Sequence, residues 1–529
     1  MAETKKTTVN KRASSKSKVQ KEVTNAVAAQ EEQKIEVPCK QEEVVSEPIE
    51  IKVHKRGSIL FVASECNPFV ASGGLADVIG SLPKALAKNG NYDVRVVIPL
   101  YKCIGEEYRQ RFTYLGNFNV GLGWRNLYCG VFSLKQDDVT YYFIDNEYYF
   151  KRDTLYGEFD DAERFAFFSK AVLDMMGYLD YYPTIMHAND WQTALSVIYL
   201  KTLYYGKFGF SEIKSVFTIH NIEYQGKYGH DLAWTLFGLP EYTYATLDYD
   251  GCLNLLKGAI EYSNYVTTVS PTYAQEIRNA FFAHKLEYCI NKNSYKISGV
   301  LNGIDEVLYN SEKDNKLFAH YSVNDLSGKK VCKKKLQEML SLPQRDVPII
   351  AIISRLVSHK GLDLVKCVLE EILSEDVQVI ILGKGDWQFE NYFGDVAYRY
   401  GGKCRMIPAY NKDLASKIYS GADIFLMPSK QEPCGLSQMI ACRYGTVPVV
   451  RRTGGLADSI TPFNEGNRDK GIGFVFNNYN AHEMLYVIKD AIFTYGNKEV
   501  WTGIMKRAMQ TDFSWKNSAV KYEEIYEKL

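Results

Sequence analysis

Apolar residues fall into short runs separated by glycine-rich and polar joints, and several runs are followed by apolar residues at helical spacing. Ile59-Leu60-Phe61-Val62-Ala63 is the first run, and a helical pattern from Leu75 to Leu86 follows its glycine-containing loop. Runs at 94–98, 140–144, 184–186, 216–219 and 265–269 continue the series. The pattern restarts near residue 347, with runs at 348–353, 377–382, 406–407, 424–427 and 447–450. Strands alternating with helices predict mostly parallel sheets covered on both faces. The fold class expected is therefore α/β, with two Rossmann-like domains facing each other across a cleft, the usual place for a ligand. No short repeat links the halves.

Residues 1 to about 55 break this pattern. They are basic and polar at first (Lys5-Lys6, Lys11-Arg12, Lys16), then acidic (Glu31-Glu32, Glu42-Glu43), and contain no aromatic residue. Such a segment cannot bury enough apolar surface to fold alone, so a disordered tail is predicted. A tether for a partner or polymer and a solvated tail without a specific role are both open readings. Glu3 and the acidic run argue against a transit peptide.

A chain of 529 residues suits two domains plus a tail. Zero formal net charge removes any global electrostatic case for nucleic acid or an anionic membrane. The 39 tyrosines offer flat faces with polar tips, which suits sugar and nucleotide surfaces, although most are expected simply to fill half-buried positions. The 11 cysteines show no CxxC pair or metal-ligand spacing and no signal peptide precedes them, so free thiols in a reducing compartment are expected. No apolar run reaches the length of a membrane span. These features predict a cytoplasmic protein, with a plastid the weaker alternative.

Candidate chemistry sits where predicted strands end. Pro428-Ser429-Lys430-Gln431-Glu432-Pro433-Cys434-Gly435-Leu436 follows the run 424–427, placing Glu432 outside a strand's carboxyl end, where α/β sheets present ligand-binding groups. The bland alternative is that Glu432 caps the helix that follows. Ser72-Gly73-Gly74-Leu75-Ala76-Asp77-Val78 offers amides for an anion, as would a plain turn. His187-Ala188-Asn189-Asp190-Trp191 and His220-Asn221 follow two further strands, and repetition at successive strand ends favours a site over isolated structural residues. Arg355 and Lys360 together suit a diphosphate, as a fork and a mobile point charge. Leu382-Gly383-Lys384-Gly385-Asp386 and Arg451-Arg452-Thr453-Gly454-Gly455-Leu456 add two more loops.

From about Ile59 to the C-terminus these segments resemble the bacterial glycogen synthase and plant starch synthase family. The resemblance implies the GT-B fold and transfer of glucose from a nucleotide sugar, usually ADP-glucose, to the non-reducing end of an α-1,4-glucan with retention of configuration. It implies no metal and no cofactor beyond the nucleotide-sugar co-substrate. The implied partners are donor and glucan, without nucleic acid or membrane, and a further partner through the tail stays open. The implied division is a tail over 1–55, an acceptor-side domain over 56–305, a donor domain over 306–505 and a C-terminal helix over 506–529 crossing back to the first domain. Carried over residue by residue, Arg355 and Lys360 bind the diphosphate and stabilise the leaving group, Glu432 lies near the transferred glucose, His220 contacts that glucose, and Asp190 lies on the acceptor side. Gly73, Gly74, Gly454 and Gly455 supply amides, and Tyr410 stacks on the base. Asp77, Asn302, Gly383, Cys434, Gly435 and Thr453 complete the binding set.

Two positions depart from the family pattern. A lysine normally stands two residues before the first glycine pair; here it is Ala71. Losing one charge-assisted contact costs roughly 1.5–3 kcal/mol, or about ten- to a hundred-fold in donor affinity or rate. Asn189 stands where many relatives carry histidine. An active synthase is expected; the alternatives are a synthase that prefers UDP-glucose and a catalytically weak glucan-binding scaffold.

Overall fold

Ile349–Ile353 is a run of five apolar residues, four of them branched at Cβ, and all but the last are buried. It is the centre of a six-stranded, wholly parallel sheet ordered Cys404–Ile407, Gln378–Leu382, Ile349–Ile353, Ile424–Met427, Val447–Arg451, Phe474–Phe476. Ranked by position in the lobe this is 3-2-1-4-5-6, the doubly wound order. Helices pack on both faces because their apolar stripes have nowhere else to go. Leu362–Ser374, for example, buries Leu362, Leu364, Val365, Val368, Leu369, Ile372 and Leu373, the i, i+3, i+4 set of one face. Each such side chain contributes roughly 1.5–3 kcal/mol by leaving water.

The structure, a computed structural model, describes residues 55–529; the readings made for residues 1–54 lie outside that range. The first lobe holds a nine-stranded sheet ordered Ile297–Gly299, Tyr265–Thr268, Lys214–Ile219, Ile185–Asn189, Gly57–Val62, Tyr92–Pro99, Val139–Asp145, Arg125–Gln136, Thr113–Leu122. The first seven run parallel and the last two form an antiparallel hairpin at the edge. Chain direction along the sheet reverses between Gly57–Val62 and Ile185–Asn189, and in the second lobe between Ile349–Ile353 and Ile424–Met427. Loops leaving those four strands border the two crevices where ligands of such sheets bind.

The chain passes between the lobes twice, and the two crossings pair. The Ile304 N–H donates to the Phe513 carbonyl at 2.8 Å, and Ile304 bridges to Ser514. The last helix, Trp515–Tyr526, then lies on the first lobe. Tyr526 Oη is 2.8 Å from His187 Nδ1, Thr218 Oγ1 is 2.6 Å from His187 Nε2, and Glu523 accepts from the Asn89 and Asn91 amides at 3.1 and 2.9 Å. His187 is thus a buried structural histidine at the root of the strand that carries Asp190.

Burial pushes His187 and His220 down from 6.5 to about 3. Unfolded imidazoles bind protons below about pH 6.5 while the folded ones do not, so stability falls as pH falls from 6.5 towards 3. Asp190, raised to about 7 by burial, has the opposite sign: its contribution is full below the unfolded carboxylate range and is lost as pH rises through 7. His187→Gln, which keeps one hydrogen bond and cannot protonate, is expected to flatten the fall of melting temperature on acidification. An unchanged slope would remove His187 from the acid response.

Candidate functional site

In the second lobe, the strands at the switch point deliver two loops to one place. Lys360 ends the turn after Ile349–Ile353, and Glu432 lies in the loop after Ile424–Met427; Lys360 Nζ meets Glu432 Oε2 at 2.7 Å. The Ser429 hydroxyl donates to the same oxygen at 2.9 Å. Glu432 is 7% exposed. It does not cap the following helix, Ser437–Arg443, which has no side-chain cap. The two loops touch closely because Gly361 sits at φ 72° with the Pro428 carbonyl where a Cβ would be, and the Lys430 N–H donates to the His359 carbonyl at 2.9 Å. Burial and the neighbouring Lys360 cation hold His359 below its ordinary range. Arg355 is exposed and makes no ion pair with any described residue.

Around this pair stand the other expected residues of the second lobe. Cys434 is buried, its thiol pushed up to about 12 by burial, and Asn302 is buried on the crossing segment with no partner for its Oδ1 among the described residues. Tyr410 is 85% exposed and offers a free ring face. Gly435 lies in the turn before Ser437–Arg443, where its carbonyl accepts from Gln438 Nε2 at 2.9 Å. Three glycines of the expected binding set have their amides engaged within the protein: Gly383 donates to the Ile407 carbonyl at 3.1 Å, Gly454 to Glu276 Oε2 at 3.1 Å, and Gly455 to the Glu432 carbonyl at 3.1 Å. Their visible work is to bring loops into contact. Thr453 Oγ1 likewise donates to Glu276 Oε1 at 2.9 Å.

In the first lobe, Glu65 follows Gly57–Val62, buried, with its carboxyl raised by burial and accepting from the Ser72 amide. It shapes the loop that carries Ala71, Gly73 and Gly74, all exposed. Gly74–Asn89 begins there without a side-chain cap, so amides of its first turn are open to an anion. Asp77, in that turn, accepts from Asn67 Nδ2 at 2.6 Å; burial raises it to about 6 against the opposing charge of Lys412 of the second lobe. Asp190, at φ 58°, accepts from the His220 N–H at 2.8 Å and so joins two strand ends.

Asn189 fixes the state of His220. Its Nδ2 donates to the Val62 and His187 carbonyls, both at 3.1 Å, which turns its Oδ1 to His220 Nε2 at 3.0 Å. With the amide assigned by that network, Nε2 carries the imidazole proton and Nδ1 keeps its lone pair. The ring stays neutral down to about pH 3, so it can bind a sugar hydroxyl but not shuttle protons near neutrality.

Glu65, Glu276 and Asp458 were not among the expected residues. Glu276 and Asp458 lie outside the strand-end loops read from the sequence and act across the lobes. Glu65 follows the first strand directly, and a carboxylate there, seven residues before the loop it holds, was the available signal.

The chain matches the family model for the starch synthase catalytic domain over residues 58–292 and that for glycosyl transferases group 1 over residues 337–494. It is 47% identical over 474 residues to a glycogen synthase of Anoxybacillus flavithermus, covering 89% of this chain and 98% of the relative. It is 47% identical over 475 residues to a glycogen synthase of Bacillus cereus, covering 89% and 99%. The solved catalytic domain of starch synthase IV from Arabidopsis thaliana, bound to ADP and acarbose, superposes with a TM-score of 0.82 at 32% identity, over 89% of this chain and 99% of that one. Two doubly wound lobes, loops converging at both switch points and these relatives together place the chain in the glycogen synthase and starch synthase family of GT-B glycosyltransferases.

Proposed function

We propose that the protein transfers glucose from ADP-glucose to the non-reducing end of an α-1,4-glucan with retention of configuration. The observation that carries this reading is the Lys360–Glu432 pair, at 2.7 Å, on the second lobe's switch point. Departure of a nucleoside diphosphate develops negative charge, and cations already held in place stabilise that charge more than any other group a protein can offer. Lys360 and the exposed Arg355 are assigned that work. Glu432 is assigned to the sugar carbon, which becomes cation-like as its bond to the phosphate breaks. The Arabidopsis relative's ADP supports adenosine as the donor nucleoside.

Retention fits attack from the face the diphosphate leaves. The bond from the anomeric carbon to the phosphate oxygen breaks, a bond to the acceptor hydroxyl oxygen forms, and the hydroxyl proton passes to the departing phosphate. No protein nucleophile is required. A His220 that cannot protonate near neutrality suits holding a sugar hydroxyl through Nδ1. Closure of the lobes would exclude water and so suppress donor hydrolysis. The reading needs no metal ion and no cofactor besides the donor.

The test is glucose incorporation into glycogen by the purified protein, with ADP-glucose and UDP-glucose compared at low and high concentration. Faster turnover of ADP-glucose supports the reading. A UDP-glucose preference reassigns the donor, and glucan binding without turnover from either donor overturns it for the scaffold alternative.

Ala71 makes a sharper prediction. Position 71 is exposed beside the open first turn of Gly74–Asn89, so a lysine there gains a donor contact without disturbing the core. Ala71→Lys is expected to lower the donor KM or raise the rate at low donor by about ten- to a hundred-fold. Unchanged donor kinetics would remove Ala71 from the account of donor binding.

A further inference from the structure

We propose that Glu276 of the first lobe is a positioning residue for Glu432 of the second, acting through Thr453, Gly454 and Gly455; this rests on the reading of Glu432 given above.

Two short helices, Pro271–Glu276 and Gly454–Ser459, meet across the lobes and exchange carboxylates. Asp458 accepts from the Thr272 N–H at 2.9 Å and its hydroxyl at 2.6 Å. Glu276 accepts from the Thr453 hydroxyl at 2.9 Å and the Gly454 N–H at 3.1 Å. The exchange is reciprocal in form but not in consequence. Thr272 leads into a helix of its own lobe, whose Tyr273 hydroxyl accepts from the Ile222 N–H at 3.0 Å, whereas the segment held by Glu276 touches the loop that carries Glu432.

That second contact is close. The next amide, Gly455, donates to the Glu432 carbonyl at 3.1 Å and the Pro433 carbonyl at 3.2 Å. Gly454 sits at φ 41° with the Glu432 carbonyl oxygen where a Cβ would be, so no other residue fits without moving that carbonyl. From within the second lobe, Arg451 donates to the Ser429 and Lys430 carbonyls at 2.9 and 2.5 Å. Arg451 therefore fixes the loop within its own lobe, and Glu276 ties it to the lobe that carries His220 and Asp190. Docking of the lobes and placement of the Glu432 backbone become one event.

The chemistry of the contact separates hydrogen bonding from charge. A glutamine at 276 can accept from Gly454 through its oxygen and donate to the Thr453 hydroxyl through its nitrogen, so Glu276→Gln keeps both links and loses the charge. Glu276→Ala loses both links. Thr453→Val removes one of the two donors at nearly constant volume.

The experiment measures kcat, donor KM, melting temperature and backbone hydrogen exchange over residues 428–436 for wild type and these three variants. A misplaced active-site group can lower rates by about 10²-fold. Glu276→Ala is expected to lower kcat by about ten- to a hundred-fold with little change in donor KM, and to speed exchange over 428–436. Glu276→Gln should retain most of both properties, and Thr453→Val should fall between. Asp458→Asn, which relaxes the other half of the contact, should affect kcat far less. Unchanged kcat and exchange in Glu276→Ala overturn the proposal. So does a loss in Glu276→Ala that appears only in melting temperature, which would mark a staple between lobes. If Glu276→Ala fails to fold, the Gln and Val variants decide: exchange unchanged in Thr453→Val, or lost protection in Glu276→Gln, counts against it. Wild-type protein that turns over neither donor would sink the functional reading alone, because exchange over 428–436 reports on the positioning without turnover.

Discussion

Glu432→Gln is expected to fold like the wild type and to lose roughly 10²–10³-fold in glucose transfer. The substitution is nearly isosteric, and the amide oxygen can still accept from the Ser429 hydroxyl and from Lys360, which sit at 2.9 and 2.7 Å from Glu432 Oε2. The buried loop therefore keeps its partners, and the charge is what changes. If the carboxylate offsets positive charge at the anomeric carbon, its loss appears in kcat while the donor still binds. Initial rates of incorporation into glycogen, with melting temperature as the control for folding, decide the matter. A rate within a few-fold of wild type would assign Glu432 to the fold.

Lys360→Met should lower kcat by a comparable factor, roughly 10²–10³-fold, for a different reason. The ammonium is removed from the leaving diphosphate, and the Glu432 carboxylate loses its ion pair in a place where the two side chains are 18% and 9% exposed. Because the two groups act as a unit, the Lys360→Met and Glu432→Gln changes should be strongly non-additive, with the double variant little worse than the poorer single one. Simple multiplication of the two losses would mean that the pair is only an ion pair of the unliganded state.

Much of this arrangement was legible in the sequence. Runs such as Ile349–Ile353 and Ile424–Met427 are buried on both faces, so continuous apolar character marks them as interior parallel strands. The residues at their carboxyl ends then follow from the geometry of doubly wound sheets. The hairpin Thr113–Leu122 and Arg125–Gln136 escaped this reading because much of it faces solvent, and its glycines and asparagines blur the alternation. The short strands Ile297–Gly299 and Phe474–Phe476, three residues each, are too brief to show a period. Within the site, Glu432 and Lys360 could be placed because each follows a strong strand. The engagement of the Gly454 and Gly455 amides by Glu276 and Glu432 could not, because it depends on which surfaces of two lobes meet. Nor could the tautomer of His220, which is set by how the Asn189 amide divides its donors and acceptor among three partners.

The last helix has a consequence for the order in which the protein is made. A ribosome synthesises the first lobe's sheet early, yet Trp515–Tyr526, which packs on His187 and Tyr92, emerges only after the whole second lobe has been made. Throughout synthesis of the second lobe, the nascent first lobe carries an uncovered apolar face, a surface suited to holdase chaperones. A premature stop codon just before Trp515 would leave both sheets and every proposed catalytic residue encoded, but would make that transient exposure permanent.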